Sequence, residues 1–329
     1  MLDTPVALNW PAYQRDRTAK GFFGLMRSTN FTEFMKFSAM MDASATALTF
    51  AMVDGHIGFR VSGSIPRRNS VVDAVYIRDG TDPAEDPLGT VPEEEMPLSL
   101  DPEEGYIASC NNIVFQRASN GTYGVTGSTT ARAVRVVEII EGRIKNKQPF
   151  DPAVIMKMQN DTVDVYGRSI VPSLLAVVAR HLDSFPGHIT SGDRHAISRM
   201  VRVLKTWDYD VSPQSAGALA YNAWVSELRK LLVTAQFPDP TVKSLFANMH
   251  PYDQFVGHLF ILWGKNQSLD SRYCVTSENG NMALRCPYNV LRSLVNAYDK
   301  IVRSLGDDEV PKRKLRKYRN CGAGPGWPL

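Results

Sequence analysis

The chain has 329 residues, 43% of them hydrophobic, and carries 37 Lys and Arg against 34 Asp and Glu, a net charge of +3. That length and apolar content suit two domains or one large core. The near balance of charge excludes the pervasive basic field of a nucleic-acid binder, and the longest apolar runs, 173–179 and 259–263, fall far short of the roughly 20 residues a membrane span needs.

The start, Met1-Leu-Asp-Thr-Pro5, lacks the basic and apolar segments of a signal peptide. A strand-like run, 5–10 (PVALNW), follows at once, as though a segment belonged upstream. Between 22 and 41 the apolar residues Phe22, Leu25, Met26, Phe34, Phe37 and Met41 recur at roughly helical spacing. Asn30 or Thr32 would cap the second of two short helices there. Residues 48–53 and 57–61 read as strands around Asp54-Gly55, a strong hairpin signal. Residues 69–102 are rich in Pro, Gly, Asp and Glu and read as a long ordered loop.

The stretch 105–115, GYIASCNNIVF, has the apolar character of a buried strand interrupted by Asn111 and Asn112. Asn is depleted in strand interiors because its amide competes for local backbone groups. One reading is an Asx-type turn at a strand end. The other is that an amide N–H faces a site and stabilises a developing oxyanion.

Beyond Arg132 the pattern becomes helical, with candidates at 133–142, 152–159, 163–182, 194–206, 214–232 and 288–305. Strand-rich material followed by helices is an α+β order. The organisation expected is a β-rich part at 1–132, a mainly helical region at 133–306 and a basic tail at 307–329. Asp161 and Asp164 suit N-terminal capping as well as an acid pair. The tail run 311–320 has six basic residues and reads as solvated, with no nucleic-acid partner expected.

Cys110, Cys274, Cys286 and Cys321 form no C-x-x-C pair, and no histidines cluster at ligand spacing, so no metal site is expected. A Cys274–Cys286 disulfide stays open on spacing alone. Cys110 reads as a small apolar packer rather than a nucleophile. The triplets at Asn30, Asn120, Asn160 and Asn266 match the glycosylation pattern, which is common by chance.

Five blocks in order resemble the penicillin acylase (penicillin amidase) family, specifically part of its β chain. TFAMVDGHIGFRVSGSIPRR (49–68) has Asp54, Gly55, Ile57, Gly58, Phe59, Gly63, Pro66 and Arg68 at the family spacing, with His56 where Asn is usual. LGTVPEEEMPLSLDPEEGYIASCNN (88–112) resembles a pattern that ends in P-x-x-G-(Y/F)-I and the paired asparagines. TARAVRVVEIIEG (130–142), MQNDTVDVYGRSIVPSLL (158–175) and LKTWDYDVSPQSAGALAYNAWVSELRKLL (204–232) resemble the helical segments that follow.

The resemblance implies an αββα sandwich of the N-terminal-nucleophile hydrolases with an appended helical region, and hydrolysis of a linear or cyclic amide through an acyl-enzyme. It implies that Asn111 donates to the oxyanion, that Arg132 orients the site and that Asn112 supports the turn. In the family a serine at the mature β-chain N-terminus is the nucleophile, activated by its own α-amine, which titrates near neutrality. No residue here matches it, so the chain is expected to be a fragment, inactive alone and completed by an upstream part or an α chain. An inactive binding or scaffold remnant of the same fold is the alternative. Many members hold a structural calcium, but 113–130 contains no Asp or Glu, so no cofactor is expected here.

Overall fold

The computed structural model describes residues 5–43, 45–67, 77–112, 131–232, 239–241, 274 and 285–305, and the chain divides into two compact units, Met1–Gln148 and Pro149–Leu329. The described elements mix helices with a small antiparallel sheet, the α+β class expected. Among them, no helix is long and apolar enough to cross a membrane.

The first unit opens with two short helices, α1 (Thr18–Leu25) and α2 (Phe31–Ser38). Of the two proposed caps it is Asn30 that serves: its side chain accepts from Glu33 N at 2.9 Å, and Glu33 reaches back to Thr29 N at 2.9 Å. Strands β1 (Thr46–Ala51) and β2 (Ile57–Ser62) form the hairpin, and β3 (Leu98–Leu100) pairs with the far side of β2, giving the order β1-β2-β3. The tip uses Gly55 at φ +98°, a left-handed conformation that glycine adopts without a Cβ clash.

Alternation then sorts the sheet. Leu48 and Phe50 of β1 stand opposite Arg60 and Gly58 of β2, and this face meets α2, where the Phe50 ring lies 4.3 Å from Phe34 and 5.9 Å from Phe31. A Cβ at Gly58 would run into the Phe50 ring, so the aromatic ring covers the glycine across the pair. Arg60 is buried on the same face, bonding Ser62 Oγ through Nε at 3.1 Å and pairing with Glu93. A charge so placed needs such partners, because desolvation alone pushes its pKa down.

Three local expectations change. Residues 5–10 form no strand and leave Val6, Leu8 and Trp10 exposed; apolar composition makes no strand without an edge to pair with. The region read as a long loop contains β3, a three-residue strand that the surrounding Pro and Glu conceal. The described part of 105–115 is irregular, not extended sheet.

The second unit is helical: α4 (Pro152–Gln159), α5 (Val165–His181), α6 (Ser191–Lys205), α7 (Ala216–Leu232) and α8 (Arg285–Leu305). Three of the starts are written locally. Asp151 and Asp164 accept from Val154 N and Gly167 N at 2.8 and 2.7 Å, which bears out capping for Asp164. Thr190 and Asp193 make a reciprocal capping box.

The core of this unit runs from Ile170 to Ile301 across α5 to α8. Trp224 is fully buried with its Nε1 donating to Ser293 Oγ at 2.9 Å. Gly217 lies so close to the Trp207 ring that a Cβ there would strike it. Cys274 and Cys286 are joined by a disulfide with their Cα atoms 5.0 Å apart, tying residue 274 to the first turn of α8. The tail expected at 307–329 and the loop 113–130 lie outside the described residues.

Candidate functional site

The residues singled out in the sequence meet in the first unit, where α3 (Ala131–Lys145) lies against the end of the irregular segment 105–112. Arg132, in the first turn of α3, donates through Nη2 to Asn111 Oδ1 at 2.6 Å and to the carbonyl of Cys110 at 3.2 Å. Asn112 Oδ1 accepts from the backbone N–H of Cys110 at 2.7 Å. Asn111 itself sits at φ +64°, the left-handed region that Asn tolerates far better than β-branched residues.

This arrangement explains the break in the apolar run. The chain bends at the asparagines, Asn112 braces the bend from within, and Asn111 occupies the strained position. The chain turns here rather than extending as a strand.

The guanidinium decides which way the Asn111 amide faces. Arg has only donors, so the atom it contacts must be the oxygen, and the Asn111 Nδ2 group is thereby presented on the other side as a hydrogen-bond donor. Chemically the pair makes an oriented N–H donor whose dipole is reinforced by a cation at its oxygen end. Asn111 and Arg132 are both exposed. A donor exposed to water stabilises negative charge less than one that is covered.

Nearby contacts hold the segment. Tyr106 Oη donates to Glu141 Oε1 of α3 at 3.0 Å. Burial, first, and then Glu141 raise the pKa of the Tyr106 phenol. Asp101, at the end of β3 and at φ +47°, accepts from Ile57 N at 3.0 Å and contacts His56 Nδ1 at 2.6 Å. The hydrogen bond to Asp101 raises the His56 pKa, and the same bond lowers that of Asp101. One turn along α3 from Arg132, Arg135 pairs with Glu138 at 3.4 Å. The sequence reading missed Tyr106, Glu141 and Asp101. The P-x-x-G-Y-I pattern drew attention to the first of these without indicating a partner.

A cavity of about 570 Å³ in the same unit is lined by Asp16, Asp42, Asp86 and Arg15 among others, and by none of Asn111, Asn112 and Arg132. Among the described residues no cluster of three or more His, Cys, Asp and Glu could hold a metal ion.

The sequence pattern of penicillin amidases matches residues 1–321 of this chain. The acyl-homoserine lactone acylase QuiP of Pseudomonas putida is 27% identical over 342 aligned positions, which cover 98% of this chain and 38% of that protein. Penicillin G acylase of Escherichia coli is 26% identical, over 65% of this chain and 25% of its own length. Among solved structures, penicillin G acylase from Alcaligenes faecalis superposes with a TM-score of 0.61 at 16% identity, over 92% of this chain and 53% of that one. The chain therefore spans well under two thirds of the relatives it matches.

Proposed function

The chain belongs to the penicillin amidase family, and from that membership we propose that it supplies the oxyanion-stabilising part of an amidohydrolase, with Asn111 as donor and Arg132 as the group that orients it. The observation that carries the reading is the 2.6 Å bond from Arg132 to Asn111 Oδ1. It leaves the amide N–H₂ directed away from the cation, where a tetrahedral oxyanion could accept from it. Asn112 supports the bend and takes no part in the chemistry.

In this reading the nucleophile is an N-terminal serine carried outside these 329 residues, on an upstream part or a partner chain, and its arrival covers the exposed Asn111. The three-stranded sheet contributes to an αββα sandwich, 1–132 forms part of that core, and the helical region 133–306 follows it in the chain. The substrate is a linear or cyclic amide with an apolar acyl group, a class consistent with the acyl-homoserine lactone and penicillin G acylases among its relatives. No cofactor is required by this chemistry.

The test is hydrolysis of a phenylacetyl-amide reporter by these residues together with the serine-bearing segment. Asn111→Ala should lower turnover by about 100- to 1000-fold, and the 329 residues alone should give none. Undiminished turnover in Asn111→Ala would overturn the assignment. If the joined protein binds the amide and never cleaves it, the fold serves as a binding scaffold instead.

A further inference from the structure

We propose that Tyr106 and Glu141 are positioning residues for Asn111, an inference that rests on the amidase reading of Asn111 given above. The segment carrying Asn111 is irregular and gains no support from sheet pairing. Among the described residues, side-chain tethers to α3 run from Tyr106 to Glu141 at one end and from Arg132 to Cys110 and Asn111 at the other.

The geometry makes the two tethers act together. Tyr106 and Asn111 are five residues apart, a reach of at most about 17 Å when extended. Arg132 and Glu141 are nine residues apart on α3, about 14 Å along its axis. The segment thus runs antiparallel to the helix between its two fixed points. Nine residues is also about two and a half turns, so the two α3 side chains leave the helix on opposite sides. Gripped from both flanks, the segment is restrained against twisting as well as sliding, and twisting is the motion that would rotate the Asn111 amide away from its direction.

The Tyr106 hydroxyl is the telling atom. The pattern behind the family resemblance accepts Tyr or Phe at this position, so the ring serves a common packing need and the hydroxyl adds a tether particular to chains that pair it with an acceptor on α3. A carboxylate acceptor makes that bond stronger than a neutral one.

The experiment uses alkylation of Cys110, the residue next to Asn111, as a reporter that needs no activity. In the 329-residue chain with Cys321→Ser, and with Cys274 and Cys286 held in their disulfide, iodoacetamide modification reads the loosening of this segment. Tyr106→Phe and Glu141→Ala should each raise the rate roughly three- to tenfold, as expected for loss of one hydrogen bond. The double variant should go no further, and Glu141→Gln, which keeps a weaker neutral acceptor, should fall between the parent and Glu141→Ala.

In the amide-cleaving form, Tyr106→Phe should lower kcat by a similar factor with KM and Tm unchanged. A parent-like alkylation rate in Tyr106→Phe, or a fall in Tm that accounts for the lost kcat, overturns the proposal. If Asn111→Ala leaves kcat intact, the amidase reading fails on its own account, while the alkylation series still decides whether the tether exists.

Discussion

In the second unit the residues from Ile170 to Ile301 close over one another as one continuous core, with Leu174, Met200, Trp224 and Leu291 completely enclosed. Among the described residues of the first unit the comparable cluster is Ile65, Val91 and Met96 with Val61 against it, and Phe34, Met41 and Phe59 are buried apart from it. There Leu8, Trp10, Phe22, Phe23 and Met26 face solvent. The difference teaches where this chain keeps its stability and where it keeps its chemistry. The helical unit is stabilised by its own burial. The unit with the candidate site holds its parts by specific polar contacts: Arg60 with Glu93, Arg17 with Asp42 at 2.9 Å, His56 with Asp101, Tyr106 with Glu141, and Arg132 with Asn111.

Substitutions can break that comparison or sharpen it. Trp224→Ala should have the largest effect, removing about 3–5 kcal/mol from the second unit, as read by chemical denaturation; the Ser293 hydroxyl loses the Trp224 donor and keeps its bond to the Val290 carbonyl. Reducing the Cys274–Cys286 disulfide reopens a short loop and should cost about 3 kcal/mol by the chain-entropy model, seen as a lower Tm in the presence of reductant. Val91→Ala in the first unit deletes two methyl-sized groups from a small cluster and should cost only about 1–2 kcal/mol. Were it to cost as much as Trp224→Ala, the contrast in packing would be wrong. Thr190→Ala removes the capping box of α6 and should cost about 1 kcal/mol, a loss confined to the second unit in hydrogen exchange.

The smallest effect belongs to His56, an exposed partner whose ion pair is screened by water. Its pKa is raised in the fold, so its contribution is fully present below the unfolded value of about 6.5 and is lost as pH rises through the folded value. Asp101 is shifted the other way, so its share is present above about 3.9 and is lost as pH falls. The pair should therefore stabilise most in the mildly acidic range between them. A thermal pH profile of His56→Asn should lie slightly below the parent there and converge with it at alkaline pH; parallel profiles at every pH would remove this role.

The helices were legible in the residues because their signals are local. The apolar spacing of α5 to α8 and the Asp164 cap of α5 lie within a turn or two of the residues they organise, while the caps Asp151 and Thr190 went unread. The hairpin was legible for the same reason, from Asp54-Gly55 between two apolar runs. Several boundaries shifted by two or three residues: α3 ends at Lys145 rather than 142, α6 begins at Ser191 rather than 194, where an exposed first turn carries no apolar residue to mark it, and α8 begins at Arg285 rather than 288, ahead of Pro287, which a helix tolerates in its first turn. Strand β3 was hidden because three residues hold too little alternation to read, and its partner β2 lies some 40 residues earlier.

The sequence by itself determined the class of the fold, the family pattern, and the presence of an asparagine pair and an Arg-rich helix start that the pattern connects. Tertiary structure alone decided that Arg132 reaches Asn111 across 21 positions and that Tyr106 reaches Glu141 across 35. It also decided that the run 105–112 is held to a helix instead of pairing in the sheet. Secondary structure depends on neighbours a few residues away, whereas the direction of a single amide depends on which charge the folded chain brings to its oxygen, and no local spacing encodes that distance.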